Sequence, residues 1–143
     1  MLNRWIEPDL LDEVDEQGMG CIVFTALAQG LLTDRYLDGV PQDSRAARAN
    51  STIAGLDETV LDRVRALNDI AAARGQKLAQ LALQWALRDR RVTSAVIGAS
   101  SVEQLDTNLD ALAGPPLTEE ELAAIDVHAV ESGVNLWAKQ TEE

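Results

Sequence analysis

Most catalytic centres are built from residue types that are scarce in this sequence. Its 143 residues include one histidine, one cysteine, one tyrosine and two lysines, and aromatics make up 3%. A lone Cys21 excludes an internal disulfide, and its place in an apolar run reads as a small buried hydrophobe rather than a reactive thiol. One histidine and one cysteine are a poor donor set for a zinc or other transition-metal site. A serine or cysteine nucleophile would need His128 as its base, and no G-x-S-x-G turn supports that arrangement. Basic charge is also short: 12 Lys and Arg face 24 Asp and Glu, a net charge of -12. Nucleic-acid binding needs the opposite surplus, so nucleic acid is excluded as a partner and the charge is read as serving solubility. No apolar run approaches the roughly 20 residues that span a bilayer. No signal-peptide pattern precedes the first expected helix, so no membrane partner and a reducing, cytoplasmic setting are expected.

What is present is enough for one ordinary core, since 46% of residues are hydrophobic, chiefly Leu, Ala, Val and Ile. Residues 1–7 read as a loop, and Pro8 suits a first helical turn. Leu10, Leu11 and Val14 follow on one side, with Gly18 as the stop. Residues 20–26, GCIVFTA, form a short continuous apolar run that fits a strand buried on both faces. From Leu27 to Leu56 the periodicity fades, and about thirty residues read as loop with a turn or two of helix.

Helical spacing returns after Asp57, an N-cap, with Val60, Leu61, Val64 and Leu67, and stops at Gly75. A second helix carries Leu78, Leu81, Ala82 and Trp85, and Arg88, Arg90 and Arg91 read as its solvated end. Residues 92–97, VTSAVI, are a second strand-forming run. Ser101 with Gln104 has capping-box spacing and opens a helix through Leu105, Leu109 and Leu112. Thr118 with Glu121 repeats that spacing before a last helix through Leu122, Ile125 and Val130, which would carry His128.

Strands alternating with helices imply parallel pairing through right-handed crossovers. Two strands are too few to cover both edges of a buried strand, so the pattern describes part of a larger α/β fold. Chemistry is expected where the strands end. After the second, Gly98-Ala99-Ser100 lets a ligand approach the backbone, and the helix start at Ser101 offers unpaired N–H groups to phosphate. Gln104 and Asn108 lie one turn apart and could reach one ligand. The first strand runs into Thr25, Ala26, Leu27, Ala28 and Gln29, with Arg35 and Arg45 beyond; parallel strands would bring both loops to one rim. Two guanidiniums there suit an anionic ligand with more than one phosphate.

At these residues a family likeness becomes specific. The stretch GCIVFTALAQGLLTDRYLDGVPQDSRA resembles the segment after the seventh barrel strand of aldo-keto reductases, closest to the bacterial L-glyceraldehyde 3-phosphate reductase branch and the potassium-channel β-subunits. RVTSAVIGASSVEQLDTNLDAL is similar to that family's eighth strand and following helix, and LNRW and NLW match the bacterial branch. The resemblance implies an α/β fold, the C-terminal portion of a (β/α)8 TIM barrel, mostly helical in this chain. Strand 7 would fall near 20–26, a cofactor loop at 27–56, strand 8 near 92–97 and the C-terminal helices at 101–130.

It also implies NADPH as cofactor, with NAD less favoured, and reduction of small aldehydes or ketones by hydride transfer. Thr25 through Gln29 would line the nicotinamide and pyrophosphate. Arg35, where Lys is usual, would contact phosphate, and Arg45 the adenine and 2′-phosphate. Gly98, Ser100, Gln104 and Asn108 match adenosine-phosphate contacts, and Thr107 stands where Glu often touches the adenine. Ala26 replaces a usual Pro and Ser101 an Arg, which leaves the NADPH preference over NADH open. The family's Tyr, Lys, Asp and His tetrad has no matching position, so no catalytic residue is expected in this chain. The alternatives are a non-catalytic nucleotide-binding or subunit-interaction module, or a truncated inactive product. Unpaired strand edges also predict self-association or a homo-oligomer.

Overall fold

A computed structural model describes residues 1–39, 42 and 58–132. Helix α1 (Leu10–Glu16) leads into strand β1 (Cys21–Phe24), and two 3₁₀ turns follow, Ala28–Gly30 and Asp34–Tyr36. Helices α2 (Glu58–Ala73) and α3 (Leu78–Ala86), strand β2 (Val92–Val96), helix α4 (Val102–Leu109), a 3₁₀ turn at Asp110–Leu112 and helix α5 (Glu119–Asp126) complete the order. The Asp57 cap lies outside the described residues.

Each element follows from a local cause. Gly18 takes a positive φ of 65° just past α1, and its N–H donates to the Asp15 carbonyl, closing the helix end that the sequence marked. Gly75, at φ 69°, plays the same part after α2. In α2, Val60, Leu61, Val64, Leu67 and Ala71 form one buried stripe. Helix α3 is buried on most sides, with Leu78, Ala79, Leu81, Ala82, Leu83 and Trp85 all inside. It touches α2, α4 and β2, which makes it the centre of the helical layer. Around it Leu31, Leu32, Tyr36, Val64, Leu67 and Ile125 complete the core.

The two strands pair in parallel, with Ile22 opposite Ser94, Val23 opposite Ala95 and Phe24 opposite Val96. Gly20 permits this approach, because a Cβ there would lie 2.7 Å from Thr93 Oγ1. One side of the sheet, with Val23 and Ala95, is half-buried. The other side is open: Ile22, Phe24 and Val96 are 64%, 57% and 58% exposed. The expectation of a strand buried on both faces therefore fails for β1. Among the described residues no element covers Ile22, Phe24 and Val96, whatever the apolar run prefers.

Two further expectations change. Arg88, Arg90 and Arg91 are more engaged than a free helix end, although the Arg90 side chain stays 79% exposed. Arg88 lies 3.6 Å over the Trp85 ring, Arg90 pairs with Asp15 at 2.7 Å, and Arg91 bonds Asp89 at 2.5 Å and also Asp12. These bonds tie α1 to the approach of β2. The last helix stops at Asp126, so His128 sits half-buried just beyond it rather than on it. At Thr118 both halves of the capping box form, Thr118 N–H to Glu121 Oε2 at 2.8 Å and Glu121 N–H to Thr118 Oγ1 at 3.2 Å.

Candidate functional site

Because β1 and β2 are parallel and in register through Phe24 and Val96, the segments after them leave the sheet at one end. The first turns sharply. Thr25, Ala28 and Gln29 all have positive φ, at 55°, 47° and 58°. Non-glycine residues rarely enter this region, and a β-branched threonine there is strained. The turn is held from within: Ala28 N–H donates to Thr25 O at 2.8 Å and Gly30 N–H to Leu27 O at 2.9 Å. Thr33 Oγ1 donates to Gly30 O at 2.6 Å and accepts from Arg35 N–H at 3.3 Å, placing Arg35 on the next 3₁₀ turn. Thr25 is exposed, Ala26, Leu27 and Gln29 half-buried, and Ala28 buried. Arg45 lies outside the described residues.

The second segment, Gly98-Ala99-Ser100, is exposed and leads into α4. Ser101 Oγ accepts from Gln104 N–H at 3.1 Å, half of the expected capping box. The other half is replaced: Gln104 Oε1 accepts from Ser100 N–H at 2.7 Å and Ser100 Oγ at 2.9 Å. Gln104 thus braces the Ser100 turn, and its amide nitrogen is not committed by these two bonds. Thr107 is fixed through its carbonyl, which accepts from Gln80 Nε2 of α3 at 3.0 Å.

Asn108 is the unusual member. It is 3% exposed, the buried polar residue among the described residues, and its Nδ2 has no hydrogen-bond partner. A buried amide nitrogen left unpaired loses on the order of 1–3 kcal/mol, so the position is not optimised for the stability of this chain. The structure brings Ser100 and Gln104 into contact, but it sets Asn108 one turn below, on the side of α4 that packs on the chain.

Sequence reasoning did not foresee the cleft beside β1. About 330 Å³ opens between residues 1–10, the strand and the Thr25–Gln29 turn, with Trp85 and Ala86 at its back. Most of the lining is apolar, including Leu2, Trp5, Ile6 and Phe24. The residues that might have been pressed into catalysis are elsewhere. Tyr36 is 1% exposed within the core, and Lys77 precedes α3. Among the described residues no group of three His, Cys, Asp or Glu could hold a metal ion, and no helix is long and apolar enough to cross a membrane.

A parallel βα pair whose strand ends share one rim, with helices on one side only, is the architecture of a segment of a (β/α)8 barrel. Comparison with known proteins gives the family: residues 1–130 match the Aldo/keto reductase family model, and the chain belongs to that family. It is 47% identical over 149 aligned positions to L-glyceraldehyde 3-phosphate reductase of Escherichia coli strain K12, covering 100% of this chain and 43% of that protein. A voltage-gated potassium channel subunit beta of Schizosaccharomyces pombe is 37% identical, over 84% of this chain and 37% of its own length. Among solved structures, the holo form of aldo-keto reductase AKR11C1 from Bacillus halodurans superimposes with a TM-score of 0.69 at 26% identity, covering 97% of this chain and 43% of that one. The chain spans less than half the length of these relatives, so it is a portion of a TIM barrel, mostly helical.

Proposed function

We propose that this chain is the cofactor-holding C-terminal part of an NADPH-dependent aldo-keto reductase that reduces small aldehydes or ketones. The observations that carry this reading are the unpaired, buried Nδ2 of Asn108, one turn from Gln104 on α4, and the strained turn at Thr25, Ala28 and Gln29 after β1. Both features are destabilising in the chain alone, and strain of this kind gathers where a ligand is bound. A dinucleotide supplies a hydride to the carbonyl carbon when bound.

The residues present fit such a group. Thr25 through Gln29 would orient the nicotinamide end and keep water from it. Ser100 and the first-turn N–H groups of α4 would receive a phosphate, with Arg35 and Arg45 adding positive charge. Gln104, Thr107 and Asn108 would meet the adenosine side, and Gly98 lets the ligand come close to the backbone. The proton donor and its supporting residues would come from outside this chain; Tyr36, sealed in the core, is not in position for that role. NAD is the weaker candidate, since Arg45 suits the extra 2′-phosphate.

The test joins this chain to a polypeptide carrying the part of the E. coli relative that it does not match. NADPH oxidation with methylglyoxal or glyceraldehyde is expected only from the assembled pair. An assembled pair that binds no NADPH and turns over neither carbonyl overturns the reading.

A further inference from the structure

Gln80, in the first turn of α3, meets two opposite demands with one amide. Its Oε1 accepts from Lys77 N–H at 2.8 Å, and its Nε2 donates to the Thr107 carbonyl of α4 at 3.0 Å. A flipped amide would set oxygen against carbonyl and nitrogen against N–H, so both bonds require this orientation. Few side chains could replace it. Glutamate has no proton to give once ionised, lysine has no lone pair to accept with, and asparagine is one methylene shorter.

The held carbonyl belongs to the peptide unit that joins Thr107 to Asn108. It lies in the last turn of α4, where backbone carbonyls turn to partners outside the helix. One bond therefore fixes two residues of the candidate site at once. Apolar packing adds little to this anchor. Val102, Leu105 and Leu109, with Leu112 in the following turn, are 76%, 39%, 49% and 70% exposed, and so point away from α3. The packed side carries Asn108 and Ala111 instead. Among the described residues, the bond from Gln80 to Thr107 is the side-chain hydrogen bond that crosses between the two helices. Helix α3 is itself buried on most sides, so the firmly packed helix sets the place of the lightly held one.

We propose that Gln80 is a positioning residue for the adenosine end of the dinucleotide, acting through Thr107 rather than touching the ligand. The Ser100 and Gln104 bonds brace the start of α4, and Gln80 fastens its last turn. Without the second tie, part of the binding energy goes into ordering the helix, and affinity falls. The Thr25–Gln29 turn does not depend on Gln80, so the nicotinamide end keeps its geometry. A loss confined to binding raises KM and leaves kcat alone. This assignment rests on the cofactor reading, and the experiment separates the two.

It uses the barrel completed with the unmatched part of the E. coli relative, with NADPH, adenosine 2′,5′-bisphosphate and glyceraldehyde as probes. Gln80→Glu keeps an acceptor for Lys77 N–H but cannot donate to Thr107 as a carboxylate, whereas Gln80→Ala removes both bonds. Each variant should bind NADPH and the bisphosphate about fivefold more weakly or worse, by a common factor. The KM for NADPH should rise in step, with kcat at saturating NADPH within about twofold of the parent. Gln80→Ala should melt lower than Gln80→Glu while binding no better, which separates positioning from stability. Parent-like binding by Gln80→Glu overturns the assignment and leaves the cofactor reading standing. So does a fall in kcat at unchanged affinity, or a binding loss confined to the variant that melts lowest. A completed parent barrel that binds neither nucleotide overturns both.

Discussion

Arg74 and Glu121 form an ion pair that joins the end of α2 to the start of α5, and the Arg74 side chain is only 8% exposed. The same guanidinium donates to Gln76 Oε1 at 2.9 Å and to the Pro115 carbonyl at 2.8 Å. One side chain therefore fastens the helix layer behind the sheet to the linker that follows α4. Arg74→Met keeps the aliphatic stem and removes all of these bonds. It should destabilise the chain by about 1–3 kcal/mol, read as a lower urea midpoint with an unchanged slope.

Gly114 lies against that network. A Cβ there would sit 2.6 Å from Gln84 Nε2 and 2.7 Å from Gln76 Nε2, two groups at the ends of flexible side chains. Gly114→Ala is expected to displace them and break the Gln76 to Gln84 hydrogen bond at 3.0 Å, destabilising by about 1 kcal/mol. Thermal melting of the variant against the parent measures it.

The strained turn makes an opposite prediction. Thr25 is exposed and held at φ 55°, a region that glycine enters freely. Thr25→Gly should stabilise the chain by up to about 1 kcal/mol, since relief of left-handed strain outweighs the added freedom of the unfolded chain. NADPH affinity of the assembled barrel should fall in the same variant. A variant less stable than the parent would show that the strain at Thr25 is smaller than the freedom glycine adds to the unfolded chain.

Asn108→Leu tests the buried amide. The substitution keeps the shape and removes the unpaired Nδ2, so the melting temperature should hold or rise. If Asn108 serves the nucleotide, the assembled barrel should lose affinity for NADPH at least severalfold. Stability and binding moving in opposite directions is the expected signature.

Acid sensitivity follows from Asp89. Hydrogen bonds from Arg91 hold its carboxyl down to about 2, against an ordinary 3.8. A carboxylate depressed by folding stabilises above its unfolded value, and that contribution fades as pH falls from about 4 toward about 2. Urea midpoints should therefore be flat in this respect above pH 5 and decline below 4. Asp89→Asn should remove part of that decline.

Some of this was legible in the sequence for simple reasons. The apolar runs at 20–26 and 92–97 contain the two strands, and Gly18, Gly75, Ser101 and Thr118 mark helix ends through backbone and capping chemistry that is local. The outward direction of Val102, Leu105, Leu109 and Leu112 was not legible. Periodicity shows that residues share a face, but not whether the element covering that face belongs to the same chain. For the same reason β1 reads as buried on both faces while Ile22 and Phe24 are open. Long-range pairs were equally invisible: nothing in the spacing of Arg90 and Asp15, or of Gln80 and Thr107, tells that they meet. At the candidate site, the types Gly98, Ser100, Gln104 and Asn108 could be read, but the burial of Asn108 and the engagement of Gln104 with Ser100 depend on packing.

The central claim is that the two strand ends hold one dinucleotide. Its most direct measurement is an NADPH fluorescence titration of the assembled pair, with complex formation checked first by sedimentation. Saturable enhancement is predicted, with affinity reduced about tenfold or more by Gln104→Ala and again by Arg35→Ala. A fully assembled pair whose NADPH fluorescence stays that of free nucleotide, or whose binding ignores both substitutions, would contradict it.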